Sequence, residues 1–232
     1  MGYLLPILLA VAYGFVMMRF SAWSTKRHLN EQSRPLDDPE LERSFRAMAR
    51  ALDVPRIKVN LYDVDMINGL AAPDGRIFIT RGFYQEFRKG NVSADEMASV
   101  VAHELGHVAL GHTRRRMIDF TAQNAARAAL MMIIGRFIPV VGPYIANALV
   151  SLFAAKLSRE DEYEADAYAS ALLMKAGIGL EGQKRLFGKL DALTKSRAGA
   201  APAWLLSHPK SPERIAAIEA NEARWRASQV QS

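Results

Sequence analysis

No cysteine occurs in the 232 residues. Disulfides and thiolate-held zinc are therefore excluded, and any metal must be held by His, Asp and Glu. The lack does not fix a redox compartment. Strong charge of one sign is lacking too. The formal net charge is only +6, and no RNP, zinc-finger or helix-turn-helix pattern accompanies it, so nucleic-acid binding is not expected. An apolar run of unmistakable spanning length is also missing. Residues 3–18 carry no charge, but they fall short of the ~20 residues a membrane-spanning helix needs. Extending the run through Arg19, which can snorkel, to Trp23 reaches that length.

Half of the residues are hydrophobic and 23% are charged. That suits one domain with a real core, or one domain plus a membrane element. Residues 1–23 are expected to be an uncleaved anchor. The rival is a signal peptide, but no basic residue precedes the apolar run and no A-x-A site follows it. Arg19, Lys26, Arg27 and Arg34 come after the run, so the positive-inside rule places the body on the cytoplasmic side. A basic chain with an apolar start also fits an anionic lipid surface, so membrane lipid is an expected partner.

Residues 24–37 are polar and read as a linker, with the domain proper over 38–232. Asp38-Pro39 starts a helix, as cap and first helical residue. Leu41, Phe45, Met48, Ala49 and Leu52 mark its apolar face, and Val54-Pro55 ends it. Ile57, Val59 and Leu61 alternate with polar residues, as in a strand. Asp74-Gly75 signals a hairpin between 67–71 and 76–80. Asn68, Gly69, Leu70 and Ala71 could leave a sheet edge free to take an extended peptide, or could be an ordinary hairpin strand. Residues 82–89 read as a short helix.

The chemistry centres on His103-Glu104-Leu105-Gly106-His107. Ser93 and Glu96 form the capping box of its helix, and Met97, Val100, Val101, Leu105 and Val108 give its apolar face. Residues four apart on a helix differ by about 40° in direction, since each step turns ~100°. His103 and His107 can therefore share one ion, with Glu104 close enough to take a proton from water. The helix is expected to run on to Arg114-Arg115-Arg116. On such a helix His112, nine residues past His103, points to about the opposite side and is rejected as a ligand. Leu110 and Thr113 also stand where the H-E-x-x-H-x-x-G-x-x-H pattern needs Gly and His.

Residues 128–155 carry one charge, Arg136, and Pro139, Gly142 and Pro143 divide them into an apolar helical hairpin, buried or dipping into a membrane; the alternative is a true span, since residues 137–155 are uncharged and just long enough to cross a bilayer. At Ser158 a second helix is expected to begin. Glu162 and Asp166 are four apart on it and face the same way. A carboxylate completes a His₂Glu zinc site, and a second carboxylate one turn on can hold the free ring N–H of a ligand histidine.

These pieces together resemble the M48 family of zinc metalloendopeptidases, which includes HtpX-like membrane proteases and the CAAX prenyl protease type. The matching segments are H-E-L-G-H at 103–107 with Gly111-His112 after it, S-R-E-D-E-Y-E-A-D at 158–166 and L-S-H-P-K-S-P-E-R-I at 206–215. Asn68-Gly69 also resembles the family's substrate-edge strand. The likeness covers roughly residues 40–220 and departs at the N-terminus, where one anchor stands in place of two spanning helices.

The resemblance implies an α+β, mainly helical gluzincin fold with a small antiparallel sheet before the metal helix. It implies one Zn²⁺ per chain on His103, His107 and Glu162, with Glu104 as general base. By the same likeness His208 lies at the active site, as oxyanion donor or as an inhibitory zinc ligand, and Arg214 pairs with Asp166 or Glu162. The expected function is peptide-bond hydrolysis of polypeptide substrates in membrane-associated protein quality control, at the bacterial inner membrane. CAAX processing is disfavoured because many spanning helices are lacking. The alternative is a proteolytically silent membrane-bound scaffold or chaperone with a structural zinc.

Overall fold

The computed structural model describes residues 4–72, 74–112, 115, 142–196, 208 and 212–230. The described part is mainly helical with one small sheet. In chain order it contains α1 (Leu4–Glu31), β1 (Ser33–Pro35), α2 (Pro39–Ala51), β2 (Val59–Tyr62), β3 (Gly69–Ala71), β4 (Ile77–Thr80) and α3 (Arg81–Arg88). Then follow α4 (Ala94–Ala109), α5 (Gly142–Lys175), α6 (Glu181–Ser196) and α7 (Pro212–Val230).

The sheet is mixed, not antiparallel as expected. Its strand order is β1-β2-β4-β3, with β1–β2 and β3–β4 antiparallel but β2 parallel to β4. The expected hairpin is present: β3 and β4 pair across a turn in which Gly75 takes φ +83°. Its placement decides the topology. All four residues of β4 are buried, so β4 takes the centre, while Gly69-Leu70-Ala71 is left at the edge. Alternation in the sequence reveals the strands but not their order.

Residues 24–37, expected as a linker, carry the end of α1 and strand β1. Leu29 is buried, and His28 Nε2 lies 2.9 Å from the Tyr62 hydroxyl. The stretch expected as an anchor lies in the first part of α1. Among the described residues no helix is long and apolar enough to cross a membrane.

Helix α2 starts as the sequence predicts. The Asp38 carboxylate accepts from the backbone N–H of Glu40 at 3.0 Å and from Leu41 at 3.4 Å. It also accepts from the Tyr84 hydroxyl and Arg88, which ties α2 to α3. Helix α4 is the centre of the domain. Ser93 and Glu96 make both halves of the capping box, and the helix is buried nearly all round. The fully buried Glu96 also takes Lys189 Nζ at 2.9 Å, which fastens α6 to the start of α4. The core fills with Phe83, Met97, Val100, Val101, Leu173 and Phe187. Each such side chain, buried, contributes roughly 1.5–3 kcal/mol.

Two boundaries differ from expectation. Helix α4 does not continue to residue 116. It ends at Ala109 with Leu110 as C-cap, and Gly111 follows at φ +73°, a left-handed turn that glycine adopts without steric penalty. No helix begins at Ser158 either. Residues 142–155 of the expected apolar hairpin belong to α5, which runs unbroken through 158 to Lys175; residues 128–141 lie outside the described residues. Between Pro143 and Gly177 there is neither proline nor glycine to stop it.

Candidate metal centre

Helices α4 and α5 lie close because residue 106 has no side chain. A Cβ there would stand 3.0 Å from both the Cα and the carbonyl oxygen of Ala165. That approach carries Glu162 and Asp166, one helical turn apart, up to His103 and His107. The gap between the two histidines is one turn as well, so two turns of one helix face two turns of the other.

The distances define a small polyhedron. His103 Nε2 and His107 Nε2 are 3.1 Å apart. Glu162 Oε2 lies 3.3 Å from His103 Nε2, and its Oε1 lies 3.5 Å from His107 Nε2. His208 closes the group, with Nδ1 3.2 Å from His103 Nε2 and 2.8 Å from Glu162 Oε2. All four residues are buried. For zinc bonds to nitrogen of about 2.0–2.1 Å, the edges of a regular tetrahedron come to about 3.3–3.4 Å. The spacing fits one zinc ion.

Proton positions support the fit. His103 Nδ1 lies 2.9 Å from Asp166 Oδ1 and donates to it, which leaves the Nε2 lone pair facing the cluster. His107 Nδ1 is likewise engaged away from the cluster, 3.0 Å from His112 Nδ1. Two lone pairs thus aim at one point, an arrangement that a cation satisfies. Charge gives the same answer. Glu104, Glu162 and Asp166 are three buried carboxylates, and Arg214 is one buried guanidinium. A divalent cation restores neutrality, which buried charges require.

Arg214, from the first turn of α7, grips Asp166 with two bonds: Nε to Oδ2 at 2.6 Å and Nη2 to Oδ1 at 2.9 Å. Its Nη1 is 3.4 Å from Glu162 Oε2, and the guanidinium lies 5.0 Å from the centre of the Phe187 ring. The sequence left its partner as Asp166 or Glu162; the guanidinium stands beside both. Burial works against ionised Asp166, but hydrogen bonds from His103 and Arg214 outweigh it and hold its pKa below the usual value. Glu162 follows the same pattern: burial opposes its charge, and His103 and His208 overcome it, so its pKa is lowered. Burial also disfavours a charged His103, yet Asp166 and Glu162 raise its pKa to about 9. The carboxylates thus favour positive charge at this point, whether a proton on His103 or a cation.

Glu104 is buried beside the cluster, with Oε1 3.4 Å from His208 Nε2. Strand β3 runs past its other side. A Cβ on Gly69 would stand 2.6 Å from Val100 Cγ1 and 3.8 Å from Glu104 Cγ. The structure thus gathers His103, Glu104, His107, Glu162, Asp166, His208 and Arg214, with Asn68–Ala71 alongside. Sequence reasoning missed the place of His112, which lies against His107 and not across the helix from it. The signal was Gly111, a helix-ending glycine at the point where the helix was assumed to continue.

The model of Peptidase family M48 matches residues 35–222. Metalloprotease YcaL of Escherichia coli (strain K12) is 29% identical over 174 residues, 75% of this chain and 65% of the relative. Metalloprotease LoiP of the same strain is 28% identical over 168 residues, 72% of this chain and 64% of the relative. Protease HtpX of Alkalilimnicola ehrlichii is 24% identical over 262 residues, 93% of this chain and 83% of the relative. The chain spans just under two thirds of the length of the two Escherichia coli relatives. The family match takes in strands β2, β3 and β4, both helices that bring the donors together, and His208 and Arg214, and on it the chain belongs to peptidase family M48.

Proposed function

We propose that the chain is a zinc-dependent metalloendopeptidase of gluzincin type, holding one zinc ion on His103, His107 and Glu162. The observation that carries this reading is the convergence of two imidazole nitrogens and one carboxylate, 3.1–3.5 Å apart, directly beside Glu104. When bound, the ion supplies Lewis acidity, making water a stronger acid and a peptide carbonyl a better electrophile. The Glu104 carboxylate accepts a proton from the attacking water and returns it to the nitrogen of the leaving amine. Asp166 holds the Nδ1–H of His103, and Arg214 holds Asp166. His208 Nε2, on the Glu104 side, serves as a donor to the oxyanion of the tetrahedral intermediate.

Asn68, Gly69, Leu70 and Ala71 form the edge that takes the substrate. In support, β3 is the last strand of the sheet and has no strand on its outer side among the described residues. An extended polypeptide can add there as one more strand, passing Glu104. Gly69 permits β3 to lie this close to α4.

The test is Glu104→Gln, assayed on casein with and without a chelator. Cleavage should vanish while bound zinc stays at one per chain. Hydrolysis at the wild-type rate in that variant would sink the assignment of the base.

One observation favours a second reading. Four buried donors make a closed set, as in structural zinc sites, and a closed set suits a silent scaffold or chaperone. It equally suits an enzyme held idle by His208 as an inhibitory ligand. Wild type and His208→Ala assayed side by side separate the readings: zinc bound with no digestion by either supports the scaffold, digestion that rises in His208→Ala supports the idle enzyme, and digestion that falls from the wild-type level supports His208 as oxyanion donor.

The proposed setting is membrane-associated quality control at the bacterial inner membrane, with the site on the cytoplasmic side. Tyr13, Phe15, Val16, Phe20 and Trp23 are exposed large apolar side chains on α1, and basic residues follow them. Such a surface binds lipid readily. Protease treatment of intact spheroplasts checks the orientation. The C-terminus should be protected, and its digestion would place the site on the outer side.

A further inference from the structure

The two metal-facing histidines are steadied differently. His103 Nδ1 meets a carboxylate, while His107 Nδ1 meets a second imidazole: His112 Nδ1, 3.0 Å away. His112 is fully buried, and its Nε2 lies 2.9 Å from Glu164 Oε2 and 3.6 Å from Asp161 Oδ1. Asp161 Oδ1 also accepts from Arg115 Nη1 at 3.0 Å. Ring centroids of His107 and His112 are 5.2 Å apart at 66°. We propose that His112 is a positioning residue for the metal site: it accepts the Nδ1–H of His107, and through its own Nε2–H it links that ligand to Glu164.

The proton arrangement follows by elimination. A histidine that ligates through Nε2 carries its remaining proton on Nδ1. His107 therefore donates, and His112 Nδ1 must be the acceptor. Neutral His112 then carries its proton on Nε2, where Glu164 and Asp161 stand. Both rings donate in the same outward direction, and the reversed tautomer of His112 would set two N–H groups against each other. The backbone explains how the contact arises. Five further residues of helix would turn His112 about 140° away from His107. Gly111 at φ +73° breaks the helix and brings His112 back under it. A Cβ at Gly111 would meet nothing within 4 Å, so the glycine serves the backbone angle and not a close contact.

The inference rests on His107 being a ligand in the proposed centre, and the experiment reads the two separately. Zinc affinity is measured on the full chain by chelator competition for wild type, His107→Ala, His112→Phe and His112→Asn. Phenylalanine keeps a ring but offers no acceptor. Asparagine Oδ1, attached to Cγ as histidine Nδ1 is, offers one in the same place. Loss of such an outer partner lowers affinity by about 10–100-fold, which is the expectation for His112→Phe, and His112→Asn should recover most of it. Equal affinity in His112→Phe and wild type overturns the proposal, as does a loss in His112→Asn as deep as in His112→Phe. An unchanged His107→Ala overturns the metal centre itself. Independently of any variant, long-range ¹H–¹⁵N correlation spectra of the zinc-loaded wild type should show His107 protonated on Nδ1 and His112 on Nε2. A proton on His112 Nδ1, or a second zinc per chain lost in His112→Phe, makes the relay wrong.

Discussion

The His103 and His107 sides of the site meet the same requirement by opposite means. On the His103 side a ring N–H ends on Asp166, which is buried and gripped by a buried guanidinium. On the His107 side the N–H passes to a neutral ring and then to Glu164, whose side chain is 55% exposed. One side is a buried ionic network reaching from α5 to α7, and the other leads from the core to water. Buried ion networks are strongly destabilised by loss of a partner, because the remaining charge is left without solvent. Chains that end at the surface are not, because water replaces what is removed. The two histidines should therefore respond very differently to loss of their partners.

Acid provides the largest test, because it acts on the whole His103 network. In chelated protein, Asp166 and Glu162 have folded pKa values below their ordinary 3.8 and 4.5. Their contribution is fully present above those values and is lost as pH falls through the lower folded ones. His103, raised from 6.5 to about 9, contributes fully below 6.5 and loses its contribution as pH rises through about 9. These are two views of one set of contacts, counted once. The urea midpoint of chelated protein should peak between pH 4.5 and 6.5 and fall on both sides. A flat profile across pH 4–9 would remove the network from the account of stability.

Arg214→Met comes next. It leaves Asp166 and Glu162 without their guanidinium, and such losses amount to about 3–5 kcal/mol. Urea denaturation of the chelated protein measures it, and Asp166→Asn in the same chain should recover part of the loss. The smallest effect belongs to the other side. Glu164→Gln should change stability by less than about 1 kcal/mol, since an exposed carboxylate is screened by water. A loss as large as that of Arg214→Met would erase the distinction between the two sides.

Local signals in the chain were readable in advance. Ser93 and Glu96 cap α4, Asp38-Pro39 opens α2, and Asp74-Gly75 turns the hairpin, each through contacts within a few residues. The metal-facing pair was readable for the same reason, since helical periodicity alone aligns His103 with His107. Glu162 became a candidate only through the spacing of two acids and the family likeness. The mixed sheet is not legible in the sequence because pairing order depends on which strand fills the centre, and burial of Phe78 on β4 is a property of the assembled core. The place of His112 differs from the helical expectation because one residue, Gly111, takes a left-handed angle and redirects the chain after it.

By itself, then, the sequence determined the elements whose causes lie within a turn or two: caps, apolar faces, the hairpin, and two imidazoles on one helix face. The tertiary structure alone decided that β4 lies between β2 and β3, that Arg214 stands between two acids, and that His208 closes the group around His103 and Glu162. Short-range geometry follows from backbone angles and side-chain types. Contacts across 46–63 residues arise only when helices pack, and here a missing side chain at Gly106 sets how closely α4 and α5 can meet.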